Sequence, residues 1–114
     1  MPLHETEDLA TLSLLREVQQ DFVIFYSSRD EGGELWCPDC RAVDELIQSA
    51  FGPDTGHSGL VVFVGQRSEW KSPSNPFRGN PWNVQSVPTI IRIRDGARLV
   101  DTDIRHSLAA FLQE

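Results

Sequence analysis

Two wholly apolar runs of strand length stand out in the chain, Phe22-Val-Ile-Phe-Tyr26 and Leu60-Val-Val-Phe-Val64. Continuous apolar runs rich in β-branched residues suit strands covered on both faces. Between them, Val43, Leu46, Ile47, Ala50 and Phe51 recur with the i, i+3, i+4, i+7, i+8 spacing of one helical face. Pro38 fits the first helical position and Gly52-Pro53 stops the helix, so it should run from Cys37 to near Phe51. Strand, crossover helix and strand make a β-α-β unit of right-handed sense. An earlier helix is expected over about residues 7–20, where Leu9, Leu12, Leu15 and Val18 recur and Glu7 and Asp8 complement the dipole. Downstream, Thr89–Arg94 reads as a strand, with Arg92 and Arg94 compatible with it only if it is offset or at an edge. Asp95-Gly96 predicts a two-residue hairpin turn returning Ala97–Asp101 antiparallel. A final helix over Asp103–Gln113 presents Ile104, Leu108, Phe111 and Leu112 on one stripe. Gln66–Gln85 is the least regular stretch, and a short helix is expected there around Pro76–Asn80. The order predicts an α/β fold, a small mixed central sheet flanked by helices on both faces.

A length of 114 residues fits one domain, 1–114, since domains hold roughly 100–200 residues. With 39% hydrophobic and 24% charged residues, neither a disordered chain nor a membrane protein is expected. Ten basic against 17 acidic side chains leave a net charge of -7, which argues against nucleic acid or an anionic membrane as partner. The opening MPLHETEDLA lacks the basic and apolar regions of a signal peptide, so a cytoplasmic protein is expected.

The two cysteines, Cys37 and Cys40, carry the candidate chemistry. A bridge across two intervening residues closes too short a loop to be an effective structural staple. Zinc is the competing use, but His4, His57 and His106 are scattered and show no paired spacing. Reversible dithiol–disulfide exchange is the favoured reading. A cysteine that opens a helix meets free N–H groups and the positive end of the dipole, both of which favour its thiolate. Cys37 is thus expected to be the exposed attacking thiol, and Cys40, one turn on, the buried resolving thiol. Asp39 opposes ionisation of either sulfur. Trp36 reads equally as a platform shielding the disulfide or as a half-buried packing residue.

Leu35-Trp36-Cys37-Pro38-Asp39-Cys40-Arg41 and Ser86-Val87-Pro88-Thr89, in this order of elements, resemble the thioredoxin superfamily. Trp36–Cys40 is similar to the WCPDC motif of the thioredoxin domain-containing protein 17 family. Ser27–Gly33, Val64–Lys71 and Pro73, Asn75, Phe77, Arg78 and Asn80 extend the likeness, which covers about residues 20–105. The resemblance implies a thioredoxin fold, with Cys37 as nucleophile, Cys40 as resolving cysteine and Pro88 as a cis proline beside them. Trp36, Pro38, Asp39 and Val87 would then shape the substrate site, Val87 by offering its backbone to the incoming group. It further implies reduction of small disulfides such as cystine, and of selected oxidised proteins, persulfides and nitrosothiols, with a modest peroxidase activity. Electrons would come from NADPH through thioredoxin reductase as partner. No bound cofactor, no metal and a monomeric state are expected.

Two departures from larger thioredoxins bear on mechanism. Ile24 falls where they carry a buried acid, leaving water, Asp39 or another carboxylate to take the proton of Cys40. Ser27–Leu35 lengthens the loop before the motif, so Arg29, Asp30 and Glu31 either overhang the site or form a solvated turn. Arg67, Lys71 and Arg78 are candidates for steering carboxylate-bearing disulfides or are ordinary surface charges, and the aromatics Trp70, Phe77 and Trp82 read as packing. Two other functions compete: a glutathione-dependent, glutaredoxin-like reductase, and a thioredoxin-fold adaptor with regulatory cysteines.

Overall fold

The computed structural model describes residues 3–6, 21–51, 58–79, 82–101 and 103–113. Among the described residues five strands form one mixed sheet: β1 (Leu3–Thr6), β2 (Phe22–Tyr26), β3 (Gly59–Phe63), β4 (Thr89–Arg92) and β5 (Arg98–Val100). Among the same residues three α-helices accompany them: α1 (Pro38–Ala50), α2 (Arg67–Lys71) and α3 (Asp103–Gln113). A 3₁₀ turn spans Pro76–Arg78. The strand order is β1-β3-β2-β4-β5. β3 runs parallel to both β1 and β2, whereas β4 is antiparallel to β2 and to β5.

The two apolar runs become the sheet centre because their side chains find cover on both faces. On one face, Phe22 meets Phe51 at the end of α1 (5.6 Å between centroids, edge-on) and Phe111 of α3 (6.0 Å). On the other, Phe25 meets Phe77 (5.7 Å) and Trp82 (5.8 Å). Every residue of β2 and β3 is buried. Alternation along β2 therefore assigns Phe22, Ile24 and Tyr26 to the α1 face and Val23 and Phe25 to the opposite one.

The structure departs from the sequence expectations at several places. β1 was not expected, because His4-Glu5-Thr6 has no apolar run; it lies at the sheet edge beside β3. The helix expected over residues 7–20 lies outside the described residues. Helix α2 replaces an expected loop, and its signal is a capping box in which Gln66 and Glu69 satisfy each other's backbone amides. The hairpin joins β4 to β5, but its turn is longer than two residues. The Arg92 amide donates to the Ala97 carbonyl at 2.8 Å, and Gly96, at φ 74, donates to the Arg92 carbonyl at 2.7 Å.

Arg92 is neither offset nor at an edge, since β4 lies between β2 and β5. It is buried and satisfied: Nη2 meets Asp95 at 2.8 Å, Nη1 donates to the Phe111 carbonyl at 2.9 Å, and the guanidinium lies 4.7 Å from the Phe111 ring centre. This one side chain ties the hairpin turn to α3.

Candidate active site

Both cysteines are free thiols where the chain leaves β2 and enters α1. Cys37 is the N-cap of α1, with extended backbone (φ -88, ψ 119) and Pro38 as the first helical residue. Cys40 lies one turn inside. Cys37 is 8% exposed and Cys40 0%. The ordering of exposure follows the sequence expectation, but Cys37 sits in a crevice instead of standing open, because the Val87 segment lies over it. Its Sγ is 3.7 Å from the Val87 carbonyl oxygen, and the following Val87–Pro88 peptide is cis.

Ser27 organises the pair. Its Oγ accepts the Cys37 amide at 3.1 Å, and its own amide donates to Cys40 Sγ at 3.5 Å. The Cys40 thiol is pushed up to about 12, first by burial and then by the neighbouring Cys37, against the lowering effect of the Ser27 amide. Cys40 therefore holds its proton through the neutral range unless a base removes it.

Trp36 is half-buried and fixed. Its Nε1 donates to the Gly65 carbonyl at 2.8 Å, and the Arg67 guanidinium lies 4.8 Å from its ring centre. These contacts match the packing reading of this residue. Of the three cations singled out for steering, Arg67 stands beside Trp36. Arg78 stacks on Trp70 at 4.0 Å and donates to the Trp70 carbonyl. Lys71 is exposed at the end of α2.

The long loop is a compact hairpin. Asp30 Oδ1 accepts the amides of Gly32 (2.9 Å) and Glu34 (3.1 Å), Gly33 adopts φ 84, and Arg29 bridges to Leu35. Arg41 donates to the Leu35 carbonyl at 2.6 Å, which locks the loop's end to α1.

Two acidic groups were not singled out from sequence for the place they occupy. Asp101, at φ 58, donates its amide to the Pro88 carbonyl at 2.9 Å, and its buried Oδ1 has no hydrogen-bond partner. Burial, and then the nearby Asp39 carboxylate, raise its pKa. Asp39 itself is exposed. Burial, and then Asp44, one turn beyond Cys40, raise the pKa of the Tyr26 phenol. The signal in the sequence was the i, i+4 spacing from Cys40 to Asp44.

Among the described residues no three potential metal ligands come together. His57 lies outside them, and His106 is exposed on α3. Among the same residues no helix is long and apolar enough to cross a membrane.

Comparison with known proteins agrees with this fold. The family model "Thioredoxin domain-containing protein 17-like, thioredoxin domain" matches residues 4–114. The human thioredoxin domain-containing protein 17 is 32% identical over 83 residues, 72% of this chain and 67% of that protein. The thioredoxin-like protein Clot of Oryza sativa subsp. japonica is 32% identical over 82 residues, 66% of this chain and 59% of its own length. The zebrafish (Danio rerio) thioredoxin domain-containing protein 17 is 26% identical over 103 residues, 89% and 82% of the two chains.

Proposed function

Because the chain belongs to the thioredoxin domain-containing protein 17-like family, whose fold points to thiol–disulfide redox chemistry, we propose that it is a reductase of small disulfides cycling Cys37 and Cys40. The observation that carries this reading is the asymmetric pair of free thiols at one helix entrance, one retaining 8% exposure and one with none. Cys37, at the positive end of the α1 dipole, attacks a substrate sulfur and releases the first thiolate. Cys40 then attacks Cys37 Sγ, the mixed disulfide breaks, and the second substrate thiolate leaves. The Cys37–Cys40 disulfide takes back two electrons from NADPH through thioredoxin reductase. In this reading the Val87 carbonyl, 3.7 Å from Cys37 Sγ, and the cis Pro88 after it bound the approach to the sulfur, and Trp36, Pro38 and Asp39, its neighbours in the motif, shape the substrate site. The burial of Cys37 favours cystine-sized disulfides over folded proteins, and persulfides, nitrosothiols and peroxides present the same kind of electrophilic atom to Cys37. No bound cofactor is needed, and the protein works as a cytoplasmic monomer.

The test is steady-state NADPH oxidation with thioredoxin reductase and cystine, run beside insulin. Turnover with cystine well above that with insulin supports the reading. Turnover only when glutathione and glutathione reductase replace thioredoxin reductase would assign a glutaredoxin-like enzyme, and no turnover in either system would leave the adaptor role.

A further inference from the structure

Arg67 opens α2, and its guanidinium lies 4.8 Å from the ring centre of Trp36. Its Nη2 also reaches the Trp36 carbonyl oxygen at 3.4 Å, a long hydrogen bond. That carbonyl belongs to the peptide that carries the Cys37 nitrogen, so only covalent bonds of fixed length separate it from the Cys37 sulfur. The guanidinium therefore sits no more than about 11 Å from Cys37 Sγ, whatever torsions intervene.

Two anchors hold this arrangement. The Trp36 ring is fixed by its Nε1 bond to the Gly65 carbonyl at 2.8 Å. The start of α2 is fixed by the Gln66–Glu69 capping box and by Gln66 Nε2, which donates to the Arg29 carbonyl at 2.8 Å. A guanidinium stacked on an aromatic face keeps its N–H groups in its own plane, as a fork that matches a carboxylate. Arg67 is exposed, and among the described residues no carboxylate pairs with it. The cations on either side of the motif are committed to the loop that precedes it: Arg29 donates to the Gly33 carbonyl at 3.0 Å and Arg41 to the Leu35 carbonyl at 2.6 Å. The remaining charge is unfavourable to anions. Asp39 is exposed within the motif, and the whole chain carries -7.

We propose that Arg67 is the specificity residue of this site, binding the carboxylate of small disulfides that bear one on a short carbon arm beside the sulfur. This inference rests on the reductase reading above. A substrate sulfur approaches the attacking sulfur to about 3.5 Å. A short carbon arm and a charge-assisted hydrogen bond of about 2.8 Å then span the remaining gap to the guanidinium. Trp36 is the platform that holds the cation, and the carboxylate orients the disulfide toward Cys37.

Single-turnover oxidation of the reduced protein, acid-quenched and read by mass spectrometry, gives second-order rate constants without any reductase. Cystine is compared with cystamine, the same disulfide without its carboxylates. Arg67→Ala is expected to lower the ratio of cystine to cystamine rate constants about 5-fold, the scale of one partly exposed charge-assisted pair. Arg67→Lys keeps the charge but loses the fork, so its ratio should be intermediate. Arg67→Glu should lower the ratio below that of Arg67→Ala. Loss of the packing against Trp36 would slow both disulfides alike. A ratio that stays unchanged in Arg67→Ala and Arg67→Glu therefore overturns the assignment and leaves the reductase reading standing. Failure of either disulfide to oxidise the unmodified protein overturns the reductase reading, and this inference with it.

Discussion

The Cys37 amide donates to Ser27 Oγ at 3.1 Å, fastening the first residue of the helix entrance to the chain that leaves β2. The Ser27 amide reaches Cys40 Sγ as well, so one fully buried serine sets the position of both sulfurs. Ser27→Ala keeps the backbone bond but leaves the Cys37 amide buried and unpaired. The expected cost is about 1–3 kcal/mol. Urea denaturation at pH 7 measures it, and an unchanged midpoint would show that the bond contributes nothing.

The unequal burial of the two thiols predicts unequal mutant behaviour. Cys37→Ser should abolish steady-state reduction of cystine. Cys40→Ser should retain one round of attack and stall as a mixed disulfide, visible as a mass adduct on Cys37. Equal loss of both reactions in the two variants would contradict the division of roles.

Burial of Cys40 also fixes how stability responds to alkali. Its folded pKa, near 12, lies above the ordinary value of 9.0, so the native state keeps a proton that the unfolded chain loses. Stability from this group is fully present below pH 9 and declines as pH rises towards 12, by at most ~1.4 kcal/mol per unit. Tyr26, also raised, adds a decline of the same sign above its ordinary value of 10.0. Urea midpoints measured from pH 8 to 10.5 should therefore fall less steeply in Cys40→Ala than in the unmodified protein. Parallel slopes would refute the shift.

Arg92 is the polar side chain on which the hairpin depends. Arg92→Ala strands the Phe111 carbonyl, deprives Asp95 of its partner and removes the contact with the Phe111 ring. A loss of about 2–3 kcal/mol is expected. Arg92→Lys should recover only part of it, because an ammonium cannot hold the Asp95 carboxylate and the Phe111 carbonyl in one planar fork. Thermal unfolding of the two variants decides the order.

Sequence patterning revealed what depends on local periodicity and missed what depends on partners. The runs 22–26 and 60–64, helix α1 and helix α3 were legible because apolar spacing alone specifies them. The cysteine motif was legible because strand, loop and helix place it. β1 was hidden, since an edge strand needs no apolar run and takes its order from β3. Arg92 looked like an edge residue because the carbonyl that satisfies it, on Phe111, lies 19 residues away. Tyr26 passed as one more apolar strand residue, and only the structure reveals its hydroxyl buried without a hydrogen-bond partner.

Gly65 carries the last prediction, because it joins the backbone of β3's exit to the motif. It adopts φ 108, a region that L side chains rarely occupy. Its carbonyl accepts Trp36 Nε1 at 2.8 Å and the Ser28 amide at 3.2 Å, while its amide donates to Ser28 Oγ at 2.9 Å. An added Cβ would lie 3.0 Å from Glu69 Cβ and 3.2 Å from Glu69 Oε1, the oxygen that caps α2 through the Gln66 amide. Gly65→Ala thus strains the backbone and displaces the cap together. The expected destabilisation is about 2 kcal/mol. Trp36 would lose its fixed acceptor, changing tryptophan emission and slowing attack by Cys37. Gly79→Ala is the control: nothing lies within 4 Å of its Cβ and its φ is -103, so its effect should stay within about 0.5 kcal/mol. If the two variants unfold at the same urea concentration, neither the strain nor the anchoring of Trp36 through Gly65 contributes to stability.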